Sequence, residues 1–213
     1  MRYAVVSTKG GVGKTTTAVH LAAMFAREGK SLLIDADRQA SAAAWVAWRR
    51  DSNRDPSPAA IQLYDKAVHS EGLVVSKSFD NTIVDAGGKD SQSLRSALLF
   101  AEVAIVPVGA SNFDAAALTD LLDIVELSKH YNPSLKVKIL LSRLAPNPAS
   151  LDTKDMVEYL IEQKFDLFNS RIHERVAFRR STREGATVDE MSGSDYDSAA
   201  KEMSSFFNEV KQA

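Results

Sequence analysis

Eight consecutive residues, Lys9-Gly10-Gly11-Val12-Gly13-Lys14-Thr15-Thr16, restrict this chain more than any other feature. They follow a short apolar run of β type, Tyr3 to Ser7. They precede Thr15 to Arg27, where Val19, Ala22, Ala23 and Ala26 recur at helical spacing before Gly29 ends the pattern. A glycine-rich turn between a buried strand and a helix directs backbone N–H groups inward, at the end of the helix where partial positive charge collects. Phosphate oxygens suit such a cradle. Lys14 is then placed to reach β- and γ-phosphates, and the Thr15 hydroxyl to ligate Mg²⁺. The strict pattern G-x-x-x-x-G-K-[ST] fails because Thr8 stands where it wants Gly. The spelling K-G-G-x-G-K-[ST]-[ST] is met at every position, and it leaves Lys9 as a cation that a minimal cradle does not need.

The rest of the chain alternates strand and helix. Strands are expected at Ser31 to Ile34, Ile61 to Tyr64, Thr82 to Val84, Val103 to Val108 and Lys136 to Leu141. Helices are expected at Ala40 to Arg50, Phe113 to His130, Leu151 to Gln163 and Asp195 to Lys211, with Asp51 to Pro58 as a loop. This alternation predicts an α/β fold: a single doubly wound, mostly parallel sheet with helices on both faces, in one domain over residues 1–213. A length of 213 residues, 45% apolar and 25% charged, suits such a domain with a substantial core.

Composition removes several function classes. The chain has no cysteine, which excludes disulfides, Cys-ligated zinc and iron–sulfur clusters and fits a reducing cytoplasm. Four scattered histidines offer no paired metal spacing. The opening residues lack the pattern of a signal peptide, and no apolar run approaches the roughly 18 residues of a membrane-spanning helix. A soluble, cytoplasmic protein is expected. A formal net charge of −2 means that any contact with nucleic acid must come from a local basic patch or an assembled form.

Carboxylates stand where such a sheet binds ligands, at the C-terminal ends of its strands. Leu32-Leu33-Ile34-Asp35-Ala36-Asp37 brings Asp35 and Asp37 to one strand end; a polar strand end with a helix N-cap is the plainer reading. Asp85 closes Thr82-Ile83-Val84 and is followed by Ala86-Gly87-Gly88.

Together these motifs resemble the ParA/MinD (SIMIBI) family of deviant Walker A P-loop NTPases, and most of all its small ParA-type members without an N-terminal DNA-binding domain. The resemblance covers essentially the whole chain. It implies an ATPase using ATP and Mg²⁺, with weak intrinsic activity stimulated by a partner. Lys9 would reach across an ATP-sandwich homodimer to the other subunit's nucleotide, Asp37 would position the attacking water, and Asp35 and Asp85 would lie at Mg²⁺ with Thr15. Ala86-Gly87-Gly88 would form the switch loop sensing the γ-phosphate, where many relatives have D-x-P-P. The family often reads D-x-D-P-Q; here Arg38 replaces the proline and Gln39 remains.

Ser142-Arg143 sits where family members contact adenine, with Pro146 and Pro148 close by, although an ordinary surface turn fits equally. Arg171, Arg175, Arg179 and Arg183 recur every four residues, and Arg180 adds to them. On one helix they would form a stripe able to hold DNA phosphates without reading sequence. A solvated face with ion pairs fits the same spacing. The pattern I-x-x-R-x-A-x-R-x-S-x-x-x-G-x-T-V-x-E, from Ile172 to Glu190, resembles the family's C-terminal region, where basic residues of the dimer meet non-specific DNA. The expected role is therefore plasmid or chromosome partition, or cargo positioning, with a ParB-like partner and association with the nucleoid. The alternative is a MinD-like membrane-associated division-site switch. That would need a basic amphipathic C-terminal helix, whereas Ser198 to Ala213 balances its charges, so no stable membrane association is expected.

Overall fold

The computed structural model describes residues 1–87, 91–146 and 150–213. Its strands are β1 (Arg2–Ser7), β2 (Ser31–Asp35), β3 (Ala59–Gln62), β4 (Asn81–Gly87), β5 (Val103–Val108), β6 (Lys136–Leu144) and β7 (Leu167–His173). Its helices are α1 (Lys14–Ala26), α2 (Ser41–Asp51), α3 (Ala67–Ser76), α4 (Gln92–Phe100), α5 (Asn112–Lys129), α6 (Leu151–Glu162), α7 (Val176–Arg183) and α8 (Ser194–Val210). A 3₁₀ turn covers Val188–Glu190.

The strands form one parallel sheet in the order β3-β2-β4-β1-β5-β6-β7. Helices α1, α2, α7 and α8 pack on one face; α3 to α6 cover the other. Burial on both faces explains why β1, β2 and β5 read as continuous apolar runs instead of alternating patterns. From β1 the chain crosses β4 to reach β2, and from β4 it crosses β1 to reach β5. The two crossovers use opposite faces, so the connections leaving the paired strands β1 and β4 diverge at a topological switch point. Ligands bind at such a switch point, beyond the C-terminal ends of the strands.

The expected doubly wound α/β architecture is present. Three elements escaped the sequence reading, namely α3, α4 and β7. Strand β3 begins at Ala59, ahead of the expected Ile61. Strand β7 is at the sheet edge and is only partly buried. Its outward backbone is met by side chains of α8: Asn169 N and Ser170 N donate to the Glu209 carboxylate at 2.7 Å each, and His173 N donates to Glu202 at 3.0 Å.

The expected four-arginine helix is corrected here. Arg171 lies in β7, and Arg175 is the N-cap of α7 with an extended backbone, φ −133° and ψ 142°. Only Arg179, Arg180 and Arg183 ride on the helix. The helix starts late because Arg143 claims Glu174, Glu202 claims Arg175, and both hold the chain extended beside β6. The expected Gly87–Gly88 pair is described only at Gly87, and Pro148 lies outside the described residues.

Beneath the glycine-rich loop, His20 is fully buried on α1. Its Nδ1 donates to Thr16 O at 2.8 Å, which leaves Nε2 to accept from Val188 N at 3.2 Å. Burial pushes its pKa down to about 4, against the opposing pull of the Thr16 carbonyl. The folded state therefore keeps His20 neutral while the unfolded chain takes up a proton below its ordinary value of 6.5. His20 should thus contribute its full stability above pH 6.5 and lose about 3 kcal/mol as pH falls toward 4. Urea unfolding midpoints at successive pH values should decline through that window, and His20→Gln should flatten the decline. An unchanged wild-type midpoint between pH 7 and 5 would refute this assignment.

Candidate nucleotide site

The glycine-rich loop leaves β1 at Ser7 and turns into α1 through Gly13, an N-cap in the left-handed region at φ 89°. A Cβ at Gly13 would lie 2.8 Å from Ser142 Oγ, so both backbone conformation and space require glycine there. Helix α1 begins with no side-chain cap. Its first N–H groups are directed into the loop, an arrangement that favours an anion.

Lys14 occupies the centre of this cradle. Its Nζ is 2.9 Å from Asp85 Oδ1 and 3.7 Å from Asp37 Oδ2. Parallel pairing places Val5 of β1 and Asp35 of β2 opposite Asp85 of β4, so the sheet register aligns Asp85 with the loop's strand and with the second carboxylate. Asp85 is fully buried, and its Oδ2 has no hydrogen-bond partner. An orphaned buried carboxylate oxygen is costly unless another group supplies a donor or a positive charge. Thr15 lines the nucleotide cleft beside Lys14, and Asp85 lies behind Lys14; this oxygen donor set fits a hard cation such as Mg²⁺ and its bound waters. Bound there, the ion would neutralise phosphate charge.

Asp35 is used differently. Its Oδ1 accepts from Asp37 N at 3.1 Å and its Oδ2 from Ala43 N at 2.8 Å, so it holds the start of α2 from inside the sheet. Burial raises its pKa; backbone N–H bonds pull the other way, and neighbouring Asp85 raises it further. Asp37 is half-exposed at the cleft, with its Oδ1 accepting from Gln39 N at 2.9 Å.

A cleft of about 680 Å³ runs from the loop past Asp37, Ser142 and Arg143 to Ile172, Phe178 and Met203. That volume lies within the range of sites for small organic ligands. Arg143, at φ 53°, bridges its rim by donating to Gly11 O and pairing with Glu174 at 2.7 Å. A second cleft of about 310 Å³ opens on the other side of that arm, toward Lys9 and Asp114.

Lys9 is turned away from the phosphate cradle. Its Nζ lies 2.6 Å from Asp114 Oδ1 and 3.5 Å from Ser111 Oγ. Ser111 and Asp114 form a capping box at the start of α5. Burial pushes the Asp114 pKa up, but the Lys9 ammonium and Ser111 outweigh it and hold the carboxyl below its ordinary range. This partnership was not read from the sequence, although S-x-x-D ahead of an apolar helix was a legible cap.

The expected site residues therefore separate into groups. Gly10 to Thr16, Asp37, Asp85, Ser142 and Arg143 converge on one locality, Asp35 supports it, and Lys9 stands at its lip. Arg175 and Arg179 also line the main cleft, whereas Arg180 and Arg183 are exposed beyond it. Arg175 is spent on Glu202 at 2.6 Å, so it does not join a free basic stripe.

The description "CobQ/CobB/MinD/ParA nucleotide binding domain" matches residues 3–188. The chain belongs to this family. It is thus a ParA/MinD-type P-loop ATPase by descent. "Maintenance of carboxysome distribution protein A" of Halothiobacillus neapolitanus is 26% identical over 208 residues, spanning 97% of this chain and 94% of the relative. "Chromosome-partitioning ATPase Soj" of Thermus thermophilus is 29% identical, spanning 64% of this chain and 66% of the relative. Among solved structures, a McdA–ATP complex from Cyanothece superposes with TM-score 0.74 at 19% identity, covering 100% of this chain and 95% of that one. The cell division ATPase MinD of Pyrococcus furiosus gives 0.71 at 20% identity, covering 99% and 98%. These last two likenesses establish the fold.

Gly87 offers a direct check on the cradle. A Cβ there would lie 2.3 Å from Lys14 Cε, 2.7 Å from Nζ and 3.3 Å from Asp37 Oδ2, so it would chiefly displace the far end of the flexible Lys14 side chain. Gly87→Ala should leave the unfolding midpoint nearly unchanged yet weaken nucleotide affinity by about tenfold, because charge-assisted bonds to phosphate depend on the placement of Nζ. A fluorescent-nucleotide titration reads this, and wild-type affinity in the variant would refute the placement of Lys14.

Proposed function

We propose that residues 1–213 act as one nucleotide-switched domain that positions a cargo on DNA. The observation that carries this reading is the division of labour between the two loop lysines. Lys14 is inside the cradle between Asp85 and Asp37, whereas Lys9 stands outside it on a carboxylate at the lip. A cation at the lip serves the phosphates of a second copy better than its own. Lys9 leaving Asp114 for a partner's nucleotide would make MgATP the adhesive of a homodimer, and its charge would stabilise the transferring phosphoryl group. Asp37, beside Lys14, orients the attacking water in this reading; Thr15 and Asp85 hold Mg²⁺; and Ser142 and Arg143 flank the base.

Arg179, Arg180 and Arg183 of α7 supply the contact to DNA phosphates. Three arginines per subunit become six in a dimer, which gives non-specific, salt-sensitive binding to a chain whose net charge is only −2. A ParB-like or adaptor protein would stimulate hydrolysis and release the dimer from the nucleoid. Similarity along nearly the whole chain to a carboxysome distribution protein favours a protein assembly as cargo, and similarity to Soj favours a chromosome. The membrane-switch alternative is less well supported, because α8 turns Met203, Phe206, Phe207 and Val210 into the core. Among the described residues, no helix is long and apolar enough to cross a membrane.

Retention on duplex DNA should appear with MgATP and vanish with ADP or without nucleotide, and it should fall steeply with salt. Replacing Arg179, Arg180 and Arg183 with Ala should abolish retention. Lys9→Ala should lose dimerisation and partner-stimulated turnover. Liposome binding without DNA retention would sink the proposal in favour of the membrane switch.

A further inference from the structure

The residues from Gly185 to Glu190 grip both helices that leave the nucleotide-facing loops. Helix α1 leaves the phosphate loop and is held through His20 on Val188 N and through Arg27 on Thr187, Asp189 and Glu190. Helix α2 leaves the Asp37 loop and is held through Arg49. The Arg49 side chain is fully buried, and its five N–H donors are all engaged. Two go to Pro56 O at 2.8 and 3.2 Å, one to Gly185 O at 3.1 Å, and two to the Glu190 carboxylate at 2.7 Å each. Burial pushes the Glu190 pKa up, but Arg49, the Thr187 N–H and Arg27 together outweigh it and bring it to about 2, so the pair stays charged.

Gly185 follows Glu184, the C-cap of α7. At φ 61°, a Cβ on it would lie 2.2 Å from Arg49 N and 2.6 Å from Trp48 C. The chain leaving α7 therefore rests on the backbone of the last turn of α2, with no side chain between them to absorb movement. At its other end, α2 is seated on Asp35 through Ala43 N, and it is joined to Asp37 by a short loop whose Ala40 is left-handed at φ 53°. Asp37 in turn is one of the carboxylates facing Lys14. Nucleotide phosphates that draw Lys14 toward themselves would remove this ionic partner from Asp37, at the near end of α2.

We propose that α2 is a strut that carries the nucleotide state of the cleft to α7, with Arg49 as the positioning residue at its far end. Packed interiors transmit small displacements instead of absorbing them, and here the contact is backbone on backbone, locked by a satisfied ion pair. The differential contact that a coupling mechanism requires is the exchange of Asp37 for phosphate at Lys14. The proposal rests on the DNA-positioning reading only for the meaning of α7's movement, not for the movement itself.

Both tryptophans of the sequence, Trp45 and Trp48, lie on α2, and Trp45 is buried with the Arg49 guanidinium 5.5 Å above its ring. Tryptophan emission therefore reports on this helix alone. The chain has no cysteine, so Glu184→Cys at the end of α7 accepts a single fluorescent label. Three readouts are taken on the full chain with MgATP and MgADP: Trp45 emission in a Trp48→Phe background, the α7 label, and DNA retention.

In the parent protein MgATP should change both fluorescence signals relative to MgADP. In Arg49→Met the nucleotide affinity and Trp45 response should persist, the α7 label should stop responding, and the ATP-over-ADP ratio of DNA retention should fall by about tenfold. Arg49→Lys, which keeps a charge beside Glu190, should recover part of both losses; a merely structural arginine would give no such split. Should Arg49→Met not fold, Arg49→Lys decides with the same readouts, an intermediate loss supporting the strut. An α7 label that still follows ATP in the folded variant would overturn the proposal. So would a parent protein that binds MgATP with no change in Trp45 emission, or a variant that loses nucleotide affinity along with the rest. Both fluorescence signals responding while the parent retains no DNA would leave the strut standing and remove the partition reading.

Discussion

Lys14 reaches from the phosphate loop to two carboxylates, Asp85 at 2.9 Å and Asp37 at 3.7 Å, and much of the site's organisation follows from that pairing. One ammonium thus lies between two acids, while a third, Asp35, stands opposite Asp85 in the sheet register with its oxygens on backbone N–H groups. The local charge is therefore already negative before any phosphate arrives. A triphosphate adds more, and a divalent cation near the orphaned Asp85 oxygen is the economical way to balance it. The same arithmetic makes Lys14 a contested group. A bound phosphate would compete with Asp37 and Asp85 for it.

What lies around this cluster is stiff. Asp35 is tied by backbone bonds to the Asp37 loop and to the start of α2, and His20, anchored on Thr16 of its own helix, ties α1 to Val188 of the C-terminal segment. Arg49 has no free donor. The pattern from Ile172 to Glu190 is accordingly mostly architecture: Ile172, Ala177 and Ser181 are buried, Arg175 is paired with Glu202, and Thr187 forms a capping box with Glu190. Of its named positions, Arg179 alone faces outward at the cleft.

This explains how much of the molecule the sequence disclosed. The phosphate loop was legible because its chemistry is local: glycines, a lysine and a threonine at fixed offsets between a strand and a helix. Buried parallel strands were legible because both of their faces are apolar. Strand β7 was not, since it is an edge whose partners are carboxylates from α8. The arginine stripe failed because a period of four describes one face only while the chain remains helical, and Glu174 and Arg175 are held extended. Lys9 and Asp114 are 105 positions apart, and Arg49 and Glu190 are 141 apart. Such pairs are set by topology and leave no trace in local spacing.

The carboxylates of Glu202 and Glu209 along β7 have a consequence for how copies of this chain can associate. An edge strand normally offers its N–H groups to any passing extended segment, and growth by strand addition is how many sheets become fibres. Here Asn169, Ser170 and His173 have given those groups to α8. A newcomer would meet negative charge where it needs a donor. At these three positions this margin of the sheet is closed to strand addition, and the cover is part of the same chain's fold.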